Sequence, residues 1–267
     1  MVHSDVREKG ICMAVSSEAL RFDGVTQSFG TTVALEGIDL SVRTGEFLTI
    51  VGPSGCGKST LLRLAAGLIS PTGGRVSVHD EEVSEPRRDV GFMFQKPTLL
   101  PWLSARENVM LPKSLHSRPT QNDRAEADRL LELVGLQGSE YRYPDHLSGG
   151  MQQRVALARL LMTGADLLLL DEPFGALDEF TREKLNFELL DIRRATGATI
   201  VLVTHSISEA VLLGDRVVAM SPRPGRIAEQ VEVGLGDVRT SQTLRSGDFA
   251  HLLNRVRDAF DHGRRAA

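Results

Sequence analysis

Nine consecutive residues constrain this chain more than any other stretch: Gly52-Pro53-Ser54-Gly55-Cys56-Gly57-Lys58-Ser59-Thr60. They read G-x-x-x-x-G-K-[ST], the pattern of a phosphate-binding loop. Before them, Phe47-Leu48-Thr49-Ile50-Val51 is apolar and β-prone, which predicts a buried strand. After them, Leu61, Leu62, Leu64, Ala65 and Ala66 predict a helix over residues 58–67 that ends at Gly67. Strand, glycine loop and helix form the setting that the pattern requires. Glycines and small side chains let successive backbone N–H groups curl around phosphate oxygens, and the helix adds the positive end of its dipole. Lys58 is placed to reach the β- and γ-phosphates, and the Ser59 hydroxyl to ligate Mg²⁺. Cys56 reads either as a redox switch, if its thiol is reachable, or as a small residue tolerated where side chains point away from the ligand.

The 267 residues suffice for one domain with a large core, or one domain with a subdomain. A net charge of −4 does not suggest a polybasic nucleic-acid binder. Arg87-Arg88 and Arg193-Arg194 stand among acids and read as a solvated face. A disulfide between the two cysteines, Cys12 and Cys56, would distort the phosphate loop, so both read as free thiols of a reducing compartment. The leucine run at residues 167–170 is far too short to span a bilayer, and residues 1–10 lack an apolar signal core. The expectation is a cytosolic chain whose membrane role comes only through a partner.

Between residues 20 and 42, apolar residues are separated by turn residues such as Gly24, Gly30 and Gly37, which predicts an antiparallel β-layer ahead of the loop. Phe29 has two readings there, a core aromatic or a platform for a nucleotide base. Residues 75–79 and 89–94 predict two further strands. Gln95 ends the second, facing the crevice where α/β sheets place ligands. Residues 97–158 read as a mostly helical insertion, with helices beginning at residue 105 and running over residues 122–134. The insertion opens with an apolar, proline-flanked stretch that holds Trp102, the only tryptophan. That stretch is either a docking surface for another protein or packed on its own subdomain.

Leu147-Ser148-Gly149-Gly150 leads into a helix with Val155, Leu157 and Leu161. Ser148 is either an ordinary cap or, with the glycines, a second anion site. Glycine weakens a helix, which argues for the second. Asp171 and Glu172 end a very apolar strand over residues 166–171. Asp171 suits Mg²⁺ and Glu172 the activation of a water, against the competing reading of a solvated strand end. Residues 175–178 turn into a helix that runs to about residue 196. His205 follows a buried strand over residues 198–203, on the same sheet edge as Gln95, Asp171 and Glu172. That shared position lifts it above an ordinary structural histidine. A helix over residues 208–213, a strand over 216–220 and a hairpin-like stretch with Pro222, Pro224 and Gly225 finish the core. Residues 235–267 form a polar tail with a short helix over 249–260.

In this order the motifs resemble those of the ATP-binding subunit of an ABC transporter, over roughly residues 18–230. The resemblance implies an α/β fold: a P-loop NTPase core with an antiparallel β-layer and a mostly helical inserted subdomain. It implies an extension at 1–17, an ATPase domain at 18–234 and a tail at 235–267. It also implies roles. Phe29 stacks on adenine, in place of the more usual Tyr. Lys58 and the loop amides hold the β- and γ-phosphates. Ser59, Gln95 and Asp171 organise Mg²⁺, Glu172 polarises the attacking water, and His205 contacts the γ-phosphate. Asp178 closes the D-loop and counts among the ATP-binding residues. Ser148, Gly149 and Gly150 belong to the ATP held by a second copy.

The chain's own inventory supports that last role. It has one phosphate loop, one acidic strand end and one extra anion site, which lies on the insertion away from its own loop. Two chains head to tail pair each loop with the other's Ser148 and close a two-fold dimer around two ATP molecules. More finely, Gln95-Lys96-Pro97-Thr98-Leu99-Leu100-Pro101-Trp102, Ser148-Gly149-Gly150-Met151 and Ser221-Pro222-Arg223-Pro224-Gly225-Arg226-Ile227 are similar to the nitrate, sulfonate, taurine and bicarbonate importer branch. Lys96 departs from the acidic residue of that branch. The resemblance implies integral membrane permease subunits as partners and, indirectly, an extracytoplasmic solute-binding protein. It places the chain on the cytoplasmic face of the inner membrane, with no nucleic-acid partner, and tips Trp102 toward docking the membrane subunit. The alternative is a soluble ABC-type ATPase not coupled to transport. Such proteins often carry coiled-coil insertions, zinc motifs or a second ATPase half, and the sequence shows none of these.

Overall fold

The computed structural model describes residues 18–175 and 177–265. The predicted extension at 1–17 with Cys12, Ala176 of the D-loop and the last two residues lie outside the described residues. Two long strands, β1 (Glu18–Phe29) and β2 (Thr32–Arg43), pair antiparallel across Gly30. β3 (Phe47–Val51) leads through the phosphate loop into α1 (Lys58–Ala65), and β4 (Gly73–Val78), β5 (Glu81–Glu82) and β6 (Val90–Met93) follow. The helical block holds α2 (Ala105–Ser114), α3 (Gln121–Leu133) and α4 (Gly149–Met162). Then come β7 (Leu167–Asp171), α5 (Glu179–Thr196), β8 (Thr199–Thr204), α6 (Ile207–Leu213), β9 (Arg216–Met220), β10 (Ile227–Glu232) and α7 (Gly247–Arg265).

These strands form two sheets, ordered β2-β1-β4-β5 and β10-β9-β3-β8-β7-β6. The first is antiparallel, and the second is parallel apart from β10. The two strands predicted at 75–79 and 89–94 therefore part company: β4 returns along β1, while β6 edges the parallel sheet. Gly74 makes the first of these possible. Its φ is +77°, and a Cβ there would lie 2.5 Å from the carbonyl oxygens of Asp23 and Gly24.

A strand buried on both faces reads as a continuous apolar run, and β7 shows why. Leu167 and Leu169 join one core with the antiparallel sheet and Leu61, Leu62 and Leu64 of α1. Leu168 and Leu170 join a second core with α2, α3, α4 and α5. α1 is thus held between the two sheets, which fixes the phosphate loop at its start. Because β3, β8, β7 and β6 run parallel, their carboxyl ends share one edge.

Three details depart from the sequence-based expectation. α2 begins at Ala105 but runs to Ser114 through Pro112, a residue that ordinarily breaks a helix, and is opened by a capping box of Ser104 and Glu107. Arg193 is not a solvated charge: its guanidinium bridges Asp215 Oδ2 at 2.5 Å and the Gly45 carbonyl at 2.9 Å. α7 is longer than the predicted helix over 249–260 and packs on α6, β9 and β10. Its Phe249, Leu252, Val256 and Ala259 close a third core with Val217 and Ala219 of β9. No helix among the described residues is long and apolar enough to cross a membrane.

Candidate functional site

The phosphate loop folds over its own lysine. Lys58 is buried, and its Nζ donates to the carbonyls of Gly52 at 2.8 Å and Pro53 at 3.1 Å. Gly57, the residue before α1, has φ +101°, which only glycine adopts cheaply. Ser54, Gly55, Gly57, Lys58, Ser59 and Thr60 line a cavity of about 550 Å³ together with Phe29, Gln95 and Glu172. Phe29 is 52% exposed at this cavity, so it is not a core aromatic. Cys56 points the other way. Its thiol is fully buried among core residues, and burial pushes its pKa up, so the redox-switch reading falls. Gly52 has no room for a side chain, since a Cβ would lie 2.7 Å from Cys56 Sγ.

The strand ends bring the polar residues together. Ser59 Oγ at the start of α1 donates to Asp171 Oδ1 at 2.8 Å. Burial pushes the Asp171 carboxyl up, the Ser59 hydrogen bond opposes this, and the neighbouring Glu172 charge adds to it. Glu172 is held in the left-handed region at φ +45°, with its N–H on the Val203 carbonyl at 3.0 Å. Such a conformation costs on the order of 1–3 kcal/mol and persists only where the surroundings impose it. Glu172 Oε2 accepts from Gln95 Nε2 at 3.1 Å and lies 3.4 Å from His205 Nδ1. Gly175 leaves the space beside them open: a Cβ there would sit 3.6 Å from His205 Cε1 and 3.7 Å from Glu172 Oε2.

Four residues to which the motifs gave no site role support this edge. Gln153 of α4, 2% exposed, donates to the Gln95 carbonyl at 3.0 Å. Arg159, one turn and a half further along, donates to the carbonyls of Pro97 and Thr98. Buried Glu209 of α6 accepts from the Thr204 hydroxyl, and that oxygen accepts from Ser206 N at 3.0 Å, so the pair brackets His205. Burial pushes the Glu209 carboxyl up. Arg223 lines the cavity itself. Nothing local assigns any of these to the site, because each meets its partner only through the fold.

Other motif residues stay apart from the cavity. Ser148 and Gly149 are exposed, and Ser148 caps α4 by accepting from Met151 N at 3.3 Å. Gly150 faces α5, where a Cβ would lie 3.2 Å from Thr181 Cγ2. Asp178 caps α5 by accepting from Thr181 N at 3.0 Å, and that hydrogen bond lowers its pKa. Trp102 is 69% exposed, which removes the reading that it packs on its own subdomain.

The family described as ABC transporter matches residues 35–175, a span that holds the phosphate loop, Gln95, the Ser148 cap, Asp171 and Glu172. The chain belongs to the ABC transporter family. It is an ATP-binding cassette and an ABC-type ATPase. It is 42% identical over 233 residues to a taurine import ATP-binding protein of Jannaschia sp., covering 87% of this chain and 86% of that protein. It is 45% identical over 227 residues to an aliphatic sulfonates import ATP-binding protein of Bacillus subtilis, covering 85% and 87%. Among solved structures it resembles the dimeric ATP-binding cassette MJ0796 in a post-hydrolysis state bound to ADP and Pi. The TM-score is 0.72 at 34% identity, covering 80% of this chain and 98% of that one.

Proposed function

We propose that this ABC ATPase powers a solute importer and binds ATP in the cavity beside its phosphate loop. One observation carries the reading: a single sheet edge joins Lys58, the Ser59–Asp171 pair and the Gln95–Glu172–His205 cluster. Adenine stacks on exposed Phe29. The loop amides take the phosphates, and Lys58 exchanges its two carbonyl contacts for charge-assisted ones. Ser59 Oγ and Asp171 Oδ1 already lie 2.8 Å apart, a pair of hard oxygen donors that fits Mg²⁺, and Gln95 supplies a third. Mg²⁺ held there would neutralise phosphate charge. Glu172 takes the proton of the attacking water, with Gln95 and His205 fixing its carboxylate, and His205 also reaches the γ-phosphate.

Ser148, Gly149 and Gly150 act on the nucleotide of a second copy, and Asp178 lies near that junction. Their exposure and distance from the cavity support a two-fold dimer, as does the dimeric state of the similar cassette. ATP closes the pair and hydrolysis releases it, which drives integral membrane permease subunits on the cytoplasmic face of the inner membrane. The importers named for similar chains support a small sulfonate as the solute, delivered by an extracytoplasmic binding protein. Exposed Trp102 docks the permease. The test is purification of the tagged chain from gently solubilised native membranes. An integral membrane subunit is expected to co-purify with the parent and to be lost with Trp102→Asp. Recovery of soluble partners alone, with ATPase activity intact, would overturn the transport reading.

A further inference from the structure

Between β9 and β10 the chain makes a turn, Ser221-Pro222-Arg223-Pro224-Gly225-Arg226, that folds back onto the phosphate loop. Its backbone is pinned from several sides. Ser221 Oγ accepts from Arg226 N at 3.0 Å. Gly225 N donates to the Ala34 carbonyl at 3.0 Å, and Glu36 N donates to the Gly225 carbonyl at 3.0 Å, which ties the turn to β2. Gly225 also presses on the loop so closely that a Cβ would lie 1.9 Å from the Cys56 carbonyl oxygen. Prolines on both sides of Arg223 restrict the backbone further.

This rigid turn presents one guanidinium to the nucleotide cavity. Arg223 is exposed and lines the same cavity as Phe29, Lys58 and Ser59. Its Nε and Nη2 both approach the Gly55 carbonyl at 3.3 Å, two long contacts shared by one acceptor. Among the described residues no carboxylate pairs with it. Arg226, three residues later in the same turn, is by contrast matched to Glu36 at 2.8 Å. A guanidinium is a planar fork of donors suited to two phosphate oxygens at once, and here most of those donors are free.

We propose that Arg223 is a nucleotide-binding residue whose guanidinium contacts the phosphate chain of ATP from the Gly55 side of the loop. The proposal rests on the ATP site argued above. The test is ATP binding by calorimetry at a protein concentration where the chain is monomeric, together with steady-state kinetics. Arg223→Ala is expected to weaken ATP binding and raise KM by about tenfold while kcat changes less than about twofold, the loss of one charge-assisted contact used for binding. Arg223→Lys is expected to recover part of that loss, because it restores charge without the fork. Arg226→Ala in the same turn is expected to leave binding unchanged. Binding by Arg223→Ala equal to the parent's would overturn the proposal, as would equal losses for Arg223→Ala and Arg226→Ala. A monomer Kd unchanged while ATP-driven dimerisation weakens would also overturn it, by assigning Arg223 to the partner copy. A parent chain that binds no ATP would instead sink the site reading itself.

Discussion

Glu172 takes a strained backbone conformation and two polar side chains, Gln95 and His205, converge on its carboxylate, so it is the residue whose chemistry is most sharply tested. Glu172→Gln keeps the shape and removes the base. Turnover is expected to fall by a factor of about 10² or more while ATP affinity stays within a few-fold, read by phosphate release and calorimetry. Unchanged turnover would remove Glu172 from the mechanism. Glu209 makes a different kind of prediction. Its pKa is raised by burial, against the Thr204 hydrogen bond and the charges of Arg182 and His205, with Glu172 acting in the same sense as burial. Below its ordinary value of 4.5 the carboxyl is neutral in both folded and unfolded chains and nothing is lost. As pH rises above 4.5 the unfolded chain ionises first while the buried carboxyl holds its proton, so stability is lost up to the raised folded value and the loss persists above it. Glu209→Gln keeps an acceptor for Thr204 and cannot ionise. Its melting temperature is therefore expected to exceed the parent's at neutral pH, with the gap closing toward pH 4.5. A gap independent of pH would refute the burial argument.

At the level of elements, the C-terminal helix is part of the core rather than an appendage. Val256 is fully buried among residues of α6, β9 and β10. Val256→Asp is expected to cost about 3–5 kcal/mol, measured by urea unfolding, because it buries an unpaired charge and empties an apolar site. A cost below about 1 kcal/mol would mean that α7 is loosely attached. The helix itself was legible, since apolar residues 249, 252, 256 and 259 follow helical spacing. Its partners were not, because strand and helix faces carry no address. The same limit explains the two strands that separate into different sheets: β4 pairs with β1 across α1 and the phosphate loop, from Leu20 with Val78 to Thr26 with Gly73. It also explains Arg193, whose partner Asp215 lies in the bend between α6 and β9. The site was legible where its chemistry is local, in the glycine loop and at strand ends closed by Asp171, Glu172 and His205. Arg223 and Gln153 were not, because they reach the site from turns and helices far away in sequence.

Across the whole molecule, the decisive question is whose nucleotide Ser148 serves. Two single variants answer it: Lys58→Ala disables a phosphate loop, and Ser148→Arg blocks the cap of α4. Each alone is expected to be inactive, because each homodimer has two damaged sites whichever way the sites are built. Mixing the two separates the possibilities. If the loop and the cap of one site come from different chains, a mixed dimer pairs the intact loop of the Ser148→Arg chain with the intact cap of the Lys58→Ala chain. Half of randomly paired dimers are mixed and each carries one whole site, so about one quarter of all sites are restored. ATP-dependent activity is expected to return on mixing, in proportion to the fraction of mixed dimers. If the cap instead serves the loop of its own chain, every site in the mixture carries one lesion and no activity returns. The control is a chain with both substitutions mixed with the parent. In the two-chain arrangement its mixed dimers hold no whole site, whereas in the one-chain arrangement they hold one. With parent homodimers counted, the two-chain arrangement leaves about one quarter of sites whole in each mixture, whereas the one-chain arrangement leaves none in the first and about half in the second, and a shared two-fold site stands or falls on that difference.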